Sequence, residues 1–175
     1  MNIIGIISSR RSIRAFTPDP VSDEDIRTII QAASSAPSGG NAQAWVFISV
    51  LEPRRIQALR AISPGMVSQP AAVIVLCIDQ RLTSGPPSEP DYLTCYDLGA
   101  AMQNILLTAH FLGLGGCAIA SFHEESLSRL VNLPDEVKPH LLVSIGKPRT
   151  IPAMPHKREL NEIYYKEKYG DPYGC

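Results

Sequence analysis

The segment from Asp97 to Gly115, DLGAAMQNILLTAHFLGLG, constrains the fold more than any other part of the sequence. Its apolar residues recur at helical spacing and occupy nearly the whole circumference of the predicted helix. The main stripe consists of Leu98, Ala101, Met102, Ile105, Leu106 and Ala109, widened by Ala100, Leu107 and Phe111. Because such a helix has no polar face to turn towards water, we expect it at the centre of the domain or in an interface.

Four short apolar runs predict the strands of a sheet. WVFISVL and AAVIVLCID are expected to be central strands, while GGCAIASF and PHLLVSIGKP supply two more. Further helices are expected at NIIGII, SDEDIRTIIQAASSA, PRRIQALRAI and EESLSRLVNL, and Ser22 can cap the second of them. This order predicts an α+β or α/β fold with about four strands. A chain of 175 residues suits one domain covering residues 1–175.

Two polar segments are harder to interpret. QRLTSGPPSEPDYLTCY, which begins at Gln80, contains a glycine and three prolines, and we interpret it as a loop or lid within the domain. The tail segment HKRELNEIYYKEKYG predicts a charged helix or an extended arm.

Composition and charge exclude several classes of protein. The formal net charge is −1 and 19% of residues are charged, so a nucleic-acid partner is not expected. The four cysteines form no C-x-x-C pair, which argues against a zinc site and a disulfide framework. The longest strongly apolar run, AAVIVLCI, is too short to cross a bilayer, and the N-terminus lacks the charge order of a secretory signal. We therefore expect a cytoplasmic protein with no membrane partner.

The sequence contains no pattern typical of a metal centre, a catalytic triad or a dinucleotide loop. The histidines lack the spacing of a helical metal site, so core or surface positions are expected for His110, His123, His140 and His156. No G-x-S-x-G elbow is present. The glycines of FLGLGG follow a helix and precede a strand, the reverse of a dinucleotide fingerprint. A helix that ends at glycine explains them better.

The stretch SSRRSIRAF concentrates positive charge in an otherwise balanced chain. Arg10, Arg11 and Arg14 lie within five positions of one another. A solvated basic turn is one interpretation of this cluster. The alternative is a phosphate site, because guanidinium groups and the hydroxyl of Ser12 suit an anion with several acceptor oxygens.

The stretch APSGGNAQAW predicts a turn between a helix and a strand. It is consistent with a plain loop. Adjacent glycines also let a backbone approach a flat ligand, while Ser38 and Asn41 offer side-chain hydrogen bonds. A phosphate site and a flat-ligand loop together indicate a nucleotide-like cofactor.

Three motifs in the same order resemble the FMN-dependent nitroreductase family. They are RRSIRAF, SDEDIRTIIQAASSAPSGGNAQAWVF and DLGAAMQNILLTAHFLGLGGCAI, and the likeness extends from Arg10 to Lys147. The resemblance implies an α+β fold with a central, mostly antiparallel sheet flanked by helices. It also implies an intertwined homodimer with two FMN sites at the subunit interface.

The resemblance implies a set of cofactor-binding residues. The motif that binds the FMN phosphate and the polar edge of the ring is matched by Arg10, Arg11, Ser12 and Arg14. The loop expected to approach the ring from the partner subunit contributes Pro37, Ser38, Gly39 and Asn41. The backbone near the reactive side of the flavin is matched by Ala120 and Ser121, and the late phosphate-binding cations by Lys157 and Arg158.

The chemistry that the resemblance implies is a two-step transfer. NADH or NADPH delivers hydride to the flavin, and a small-molecule acceptor such as a nitroaromatic or a quinone is then reduced in the same pocket. No catalytic side chain is required, because FMN supplies the redox chemistry. Arg14 is the candidate cation for the anionic edge of the reduced ring.

The same resemblance leaves two other functions open. Relatives include flavin-fragmenting and dehalogenating enzymes, and a non-catalytic FMN-binding module is a further possibility. The chain also departs from the family pattern, with Ala44 where proline often follows the glutamine and a short TSGPPSEPDYLTC segment where longer members build a helical lid.

Overall fold

Helices and strands alternate along the chain in the order that the sequence predicts. The computed structural model describes residues 2–83 and 92–171. The helices are α1 (Ile3–Ser9), α2 (Asp23–Ser34), α3 (Pro53–Ala61), α4 (Tyr92–Phe111) and α5 (Glu124–Leu130). The strands are β1 (Trp45–Val50), β2 (Ala72–Asp79), β3 (Gly115–Ile119) and β4 (Val137–Gly146). Short 3-10 turns occur at Gly39–Asn41, Gln80–Leu82 and Leu160–Glu162.

The four strands form one antiparallel sheet in the order β1-β2-β4-β3. Every residue of β2 is buried, as its uninterrupted apolar sequence predicts. The expectation that β1 is central is wrong, because among the described residues β1 pairs with β2 along one side only, and most of its side chains are half-buried. An apolar run indicates that side chains are covered, but it does not determine how many strands pair with it.

The sheet separates two apolar clusters. Residues of α2 and α4 cover one face, where Ile29, Ile74 and Ile105 are fully buried. Residues of α3 and α5 cover the other face, around Leu59 and Leu127. The chain therefore has an α+β architecture with helices on both faces of the sheet.

Helix α4 buries only one side within this chain. Leu98, Ala101 and Ile105 pack against the sheet, whereas Tyr96 and Phe111 remain exposed, at 71% and 66%. Helix α1, next to α4, fully buries none of its residues, and its Ile3, Ile4 and Ile7 are exposed as well. Together these exposed side chains form an apolar surface made of the outer sides of α1 and α4.

The predicted end of α4 is confirmed. Gly113 has a positive φ of 77°, and its N–H donates to the carbonyl of His110. The N–H of Leu114 donates to the carbonyl of Ala109, which completes a Schellman motif. The cap predicted for α2 is also confirmed, since the Oγ of Ser22 accepts a hydrogen bond from the N–H of Asp25 at 3.0 Å.

The arginine-rich segment lies along the free side of β3. The N–H of Ile13 donates to the carbonyl of Gly116 at 3.0 Å, and Ser12 forms a parallel bridge with Gly116. A Cβ atom at Gly115 would overlap the side chain of the buried Ile13. The glycines after α4 therefore have a second role, because they let this segment approach the strand.

The two polar segments differ from their predictions in part. Gln80–Leu82 forms a 3-10 turn, and the stretch from Tyr92 onward belongs to α4 rather than to a loop. Residues 84–91, the centre of the expected loop or lid, lie outside the described residues. The tail is an exposed arm whose one helical turn is Leu160–Glu162. No helix in the described ranges is both long and apolar enough to span a bilayer.

Candidate functional site: a basic cavity joining both ends of the chain

A cavity of about 720 Å³ lies where the N-terminal arginine segment meets the tail. Its walls come from the end of α1, the segment that follows it, α4 and the tail. The lining residues are Ile7, Ser8, Arg10, Arg11, Ser12, Arg14, Gln103, Pro152, Ala153, Met154, Pro155 and Lys157. All of the ionisable residues in this lining are basic, which suits an anionic ligand.

Arg10 has a donor without an acceptor. Its Nη1 atom is buried and has no hydrogen-bond partner. A buried guanidinium donor left unpaired is costly, so it indicates a missing partner. A phosphate oxygen in the cavity would satisfy this donor, and the neighbouring cations would balance the phosphate charge. The residues present therefore fit a phosphate group.

Arg11 and Arg14 are held differently from Arg10. Arg11 Nη1 donates to the carbonyls of Ser8 and Arg10, both at 2.9 Å, so Arg11 caps the end of α1. Arg14 lines the cavity and also a small recess of about 10 Å³ formed with Gly65, Cys117 and other residues. The carbonyl of Arg14 accepts a hydrogen bond from Ser68 Oγ at 2.6 Å, which fixes its backbone.

The two predicted tail cations have different surroundings. Lys157 lines the cavity with the arginines. Arg158 is not among the lining residues, and its Nη2 donates to the carbonyl of Glu162 at 2.7 Å. Its Nε lies 3.6 Å from a carboxylate oxygen of the same glutamate. Lys157 is therefore the tail cation that the fold brings to the arginine cluster.

The predicted ring-binding loop is strained and lies elsewhere in the same chain. Gly40 and Asn41 have positive φ values of 56° and 59°. The N–H of Gly39 donates to the Asp97 carboxylate of α4 at 3.0 Å, and Ser38 Oγ accepts from a backbone N–H further along the loop. None of the residues from Pro37 to Asn41 lines the cavity. An unusual backbone held by a tertiary hydrogen bond is typical of a ligand-binding loop.

Ala120 and Ser121 follow β3 at the C-terminal end of the strand. Ser121 Oγ accepts a hydrogen bond from the N–H of Gly65 at 3.0 Å, which connects this turn to the recess beside Arg14. Ala120 borders a separate depression with Lys138 and His140. The two residues are thus connected to the arginine segment through the Gly65 turn rather than by sharing the cavity.

Sequence reasoning missed the residues behind the cavity. His110 Nε2 lies 2.8 Å from Ser9 Oγ, at the end of α1. Burial, together with the positive charges of Arg10 and Arg11, holds the pKa of His110 below its usual value. The sequence places His110 in the last turn of α4, just before Gly113. It does not show that α1 ends beside this histidine, which only the fold reveals.

Two other kinds of chemistry find little support in the described part of the chain. No group of three or more histidine, cysteine, aspartate or glutamate side chains there could hold a metal ion. Cys77 lies inside the sheet, and burial raises the pKa of its thiol to about 12, so it is a poor nucleophile.

Known proteins resemble this chain in both sequence and fold. The profile of the nitroreductase family matches residues 7–72 and 62–147. A protein of Archaeoglobus fulgidus with the provisional name NADH dehydrogenase/NAD(P)H nitroreductase is 35% identical over 150 residues, which cover 82% of this chain and 84% of its own. The NADPH-flavin oxidoreductase of Vibrio harveyi is 30% identical over 179 residues, covering 96% and 75% respectively.

A solved structure extends the likeness to the whole fold. The crystal structure of nitroreductase A from Vibrio parahaemolyticus gives a TM-score of 0.87 at 26% identity and covers 99% of this chain and 79% of that one. The matched profile includes the arginine segment, the strained loop and helix α4. Sequence and fold agree, and the chain belongs to the nitroreductase family.

Proposed function

We propose that the protein takes hydride from NADH or NADPH and reduces nitroaromatic, quinone or related acceptors by a ping-pong mechanism, as a homodimer with FMN at the subunit interface. As a member of this family it is an FMN-dependent NAD(P)H oxidoreductase. The observation that carries the proposal is the buried, unpaired Nη1 of Arg10, a residue that lines a cavity whose ionisable lining is entirely basic.

The cavity residues divide the binding of FMN into two tasks. Arg10 and Lys157 would neutralise and hydrogen-bond the phosphate, and the Ser12 hydroxyl would add a donor. Arg11 would support them by holding the end of α1. Arg14, which lines both the cavity and the adjoining recess, would stabilise negative charge at the edge of the ring. Arg158 stays a prediction, as a second tail cation whose guanidinium would have to leave Glu162.

The strained loop supports a site that two subunits share. Pro37, Ser38, Gly39 and Asn41 do not line the cavity of their own chain, so in the proposal the partner's copy of the loop meets the ring. The apolar surface of α1 and α4 supplies the kind of face that a second subunit would cover. Ala120 and Ser121 would present backbone groups to the ring from beyond β3.

FMN, when bound, supplies the hydride and electron transfer itself. The residues of this chain bind and orient it, and no side chain is required as an acid or a base. The cytoplasm, where reduced nicotinamides are available, remains the proposed location.

The decisive experiment begins with an absorbance spectrum of the purified protein, followed by identification of the released flavin. Anaerobic addition of NADH or NADPH should bleach the flavin, and a nitroaromatic or quinone should restore its colour. Initial rates at varied concentrations of both substrates should give parallel double-reciprocal lines. A protein that is colourless and takes up no added FMN would refute the proposal. Flavin binding without nicotinamide oxidation would support a binding module instead.

A further inference from the structure

His110 joins the end of α4 to the end of α1, behind the basic cavity. Ser9 Oγ lies 2.6 Å from the carbonyl of Gly5, to which it donates, and 2.8 Å from His110 Nε2. Because the hydroxyl proton is used by Gly5, the oxygen accepts a hydrogen bond from a protonated Nε2. Both the neutral Nε2–H tautomer and the imidazolium can make this bond.

Ser9 directly precedes Arg10, so what holds Ser9 also positions Arg10. The N–H of Arg10 caps α1 by donating to the carbonyl of Ile6, and Arg11 folds back onto the same helix end. Helix α1 buries none of its residues, so apolar packing within this chain does little to hold it in place. The Ser9 to His110 hydrogen bond therefore helps to fix the start of the arginine segment against α4.

The surroundings of the His110 imidazole act in opposite directions on its protonation. Burial disfavours the protonated form of His110, and so do the positive charges of Arg10 and Arg11, which directly follow α1. Lys157 of the tail adds another positive charge to the cavity that these arginines line. His110 itself lies in the last turn of α4, where the helix dipole favours a cation.

We propose that His110 is a positioning residue of the phosphate site, which holds Arg10 through Ser9 and responds to the anion that the arginines bind. The inference rests on the proposed function in that the anion is taken to be the phosphate of FMN. An anion that neutralises the arginines removes one of the causes that disfavour imidazolium, although burial remains, so the proton affinity of His110 rises when the anion binds.

The sign of the pH effect follows from this linkage. The pKa of His110 is below its usual value in the free protein. If the anion raises it, as proposed, this histidine strengthens anion binding as the pH falls through the interval between the free and the bound value. The phosphate group loses its second proton near pH 6, which acts in the opposite direction. A variant with the same hydrogen bond but no titration is needed to separate the two effects.

Three variants provide that separation. His110→Gln retains an N–H donor near the position of Nε2 but cannot become charged, His110→Leu removes the donor, and Ser9→Ala removes the acceptor. His140→Gln on β4, outside the cavity lining, is the matched control. Circular dichroism and thermal unfolding of each variant check that it is folded.

Fluorescence titrations with FMN and with riboflavin, between pH 5.5 and 8, are the first measurement. For His110→Leu and Ser9→Ala we expect FMN affinity to fall by about two- to thirteenfold, the range for one lost hydrogen bond, with riboflavin affinity unchanged because it has no phosphate. His110→Gln should keep the affinity near pH 8 and lose the strengthening that the native protein shows at lower pH. Equal losses for FMN and riboflavin, or native pH dependence in His110→Gln, would overturn the inference.

NMR titration of the His110 ring, with FMN or inorganic phosphate added, keeps the two proposals apart. An upward move of its titration midpoint supports the inference, even if phosphate alone produces it and FMN does not bind, in which case the proposed function fails by itself. A midpoint that moves with neither ligand overturns the inference, even if FMN binds normally.

Discussion

Replacement of Arg10 by methionine should change the apoprotein and the FMN complex in opposite directions. Arg10 Nη1 is buried without a partner, so in the apoprotein the side chain bears a desolvation cost that no hydrogen bond offsets. Methionine keeps the apolar stem and removes the polar head. We therefore expect the free energy of unfolding of the apoprotein to stay the same or rise by about 1 kcal/mol.

The magnitude of the free energy of FMN binding should fall by more than the free energy of unfolding of the apoprotein rises. A hydrogen bond to a charged partner contributes about 1.5 to 3 kcal/mol, which corresponds to an increase of about 13- to 150-fold in the dissociation constant for FMN. Riboflavin, without a phosphate, should bind the variant and the native protein with similar affinity. Arg54→Met, on the exposed side of α3 and outside the cavity lining, controls for the general loss of a positive charge.

The assay pairs urea unfolding of the apoprotein with fluorescence titration of FMN and riboflavin. Unchanged FMN affinity in Arg10→Met would remove this side chain from the phosphate site. A clear loss of apoprotein stability would show that Nη1 has a partner in solution and is not an unpaired donor.

Three further substitutions test the surroundings of the site. Gly115→Ala places a Cβ against the buried Ile13 of the arginine segment. The free energy of unfolding in urea should therefore fall by about 1 to 3 kcal/mol, and FMN affinity should fall as well. Asp97→Ala removes the acceptor of the Gly39 N–H, and steady-state kinetics should show a lower kcat/KM while urea stability falls by no more than about 1 kcal/mol. The hydrogen bond from Arg81 holds the pKa of Asp79 below its usual range, so the stability that this pair contributes is present above about pH 4 and is lost as the pH falls through the lowered value. Asp79→Asn should therefore flatten the acid limb of a stability profile, and an unchanged acid limb would rule out that role.

The parts of the site that the sequence revealed are those formed by neighbours along the chain. Arg10, Arg11 and Arg14 lie within one short segment, so their charge is visible as a cluster, and the fold keeps them together in one cavity. The glycines after α4 were correctly interpreted as a helix stop. Their second role is to leave room for the side chain of Ile13, and it depends on a contact between distant parts of the chain.

The parts that the sequence could not reveal depend on such distant contacts. Ser9 and His110 have no common local pattern, and their hydrogen bond exists because α1 crosses the end of α4. Strand β1 lies at the sheet edge because of the strand order. The composition of a single strand does not indicate that order. The two tail cations are adjacent in sequence, yet a glutamate four positions beyond Arg158 draws its guanidinium away from the cavity.

The cavity is closed by residues from near positions 10 and 157, and this gives the tail an unusual dependence on the ligand. The exposed residues 152–157 have few buried contacts of their own, so the tail should detach at a small fraction of the global unfolding free energy. A phosphate bound between Arg10 and Lys157 would act as a non-covalent crosslink across nearly the whole chain. Flavin loading would then govern how long the tail survives a protease, in addition to giving the protein its colour.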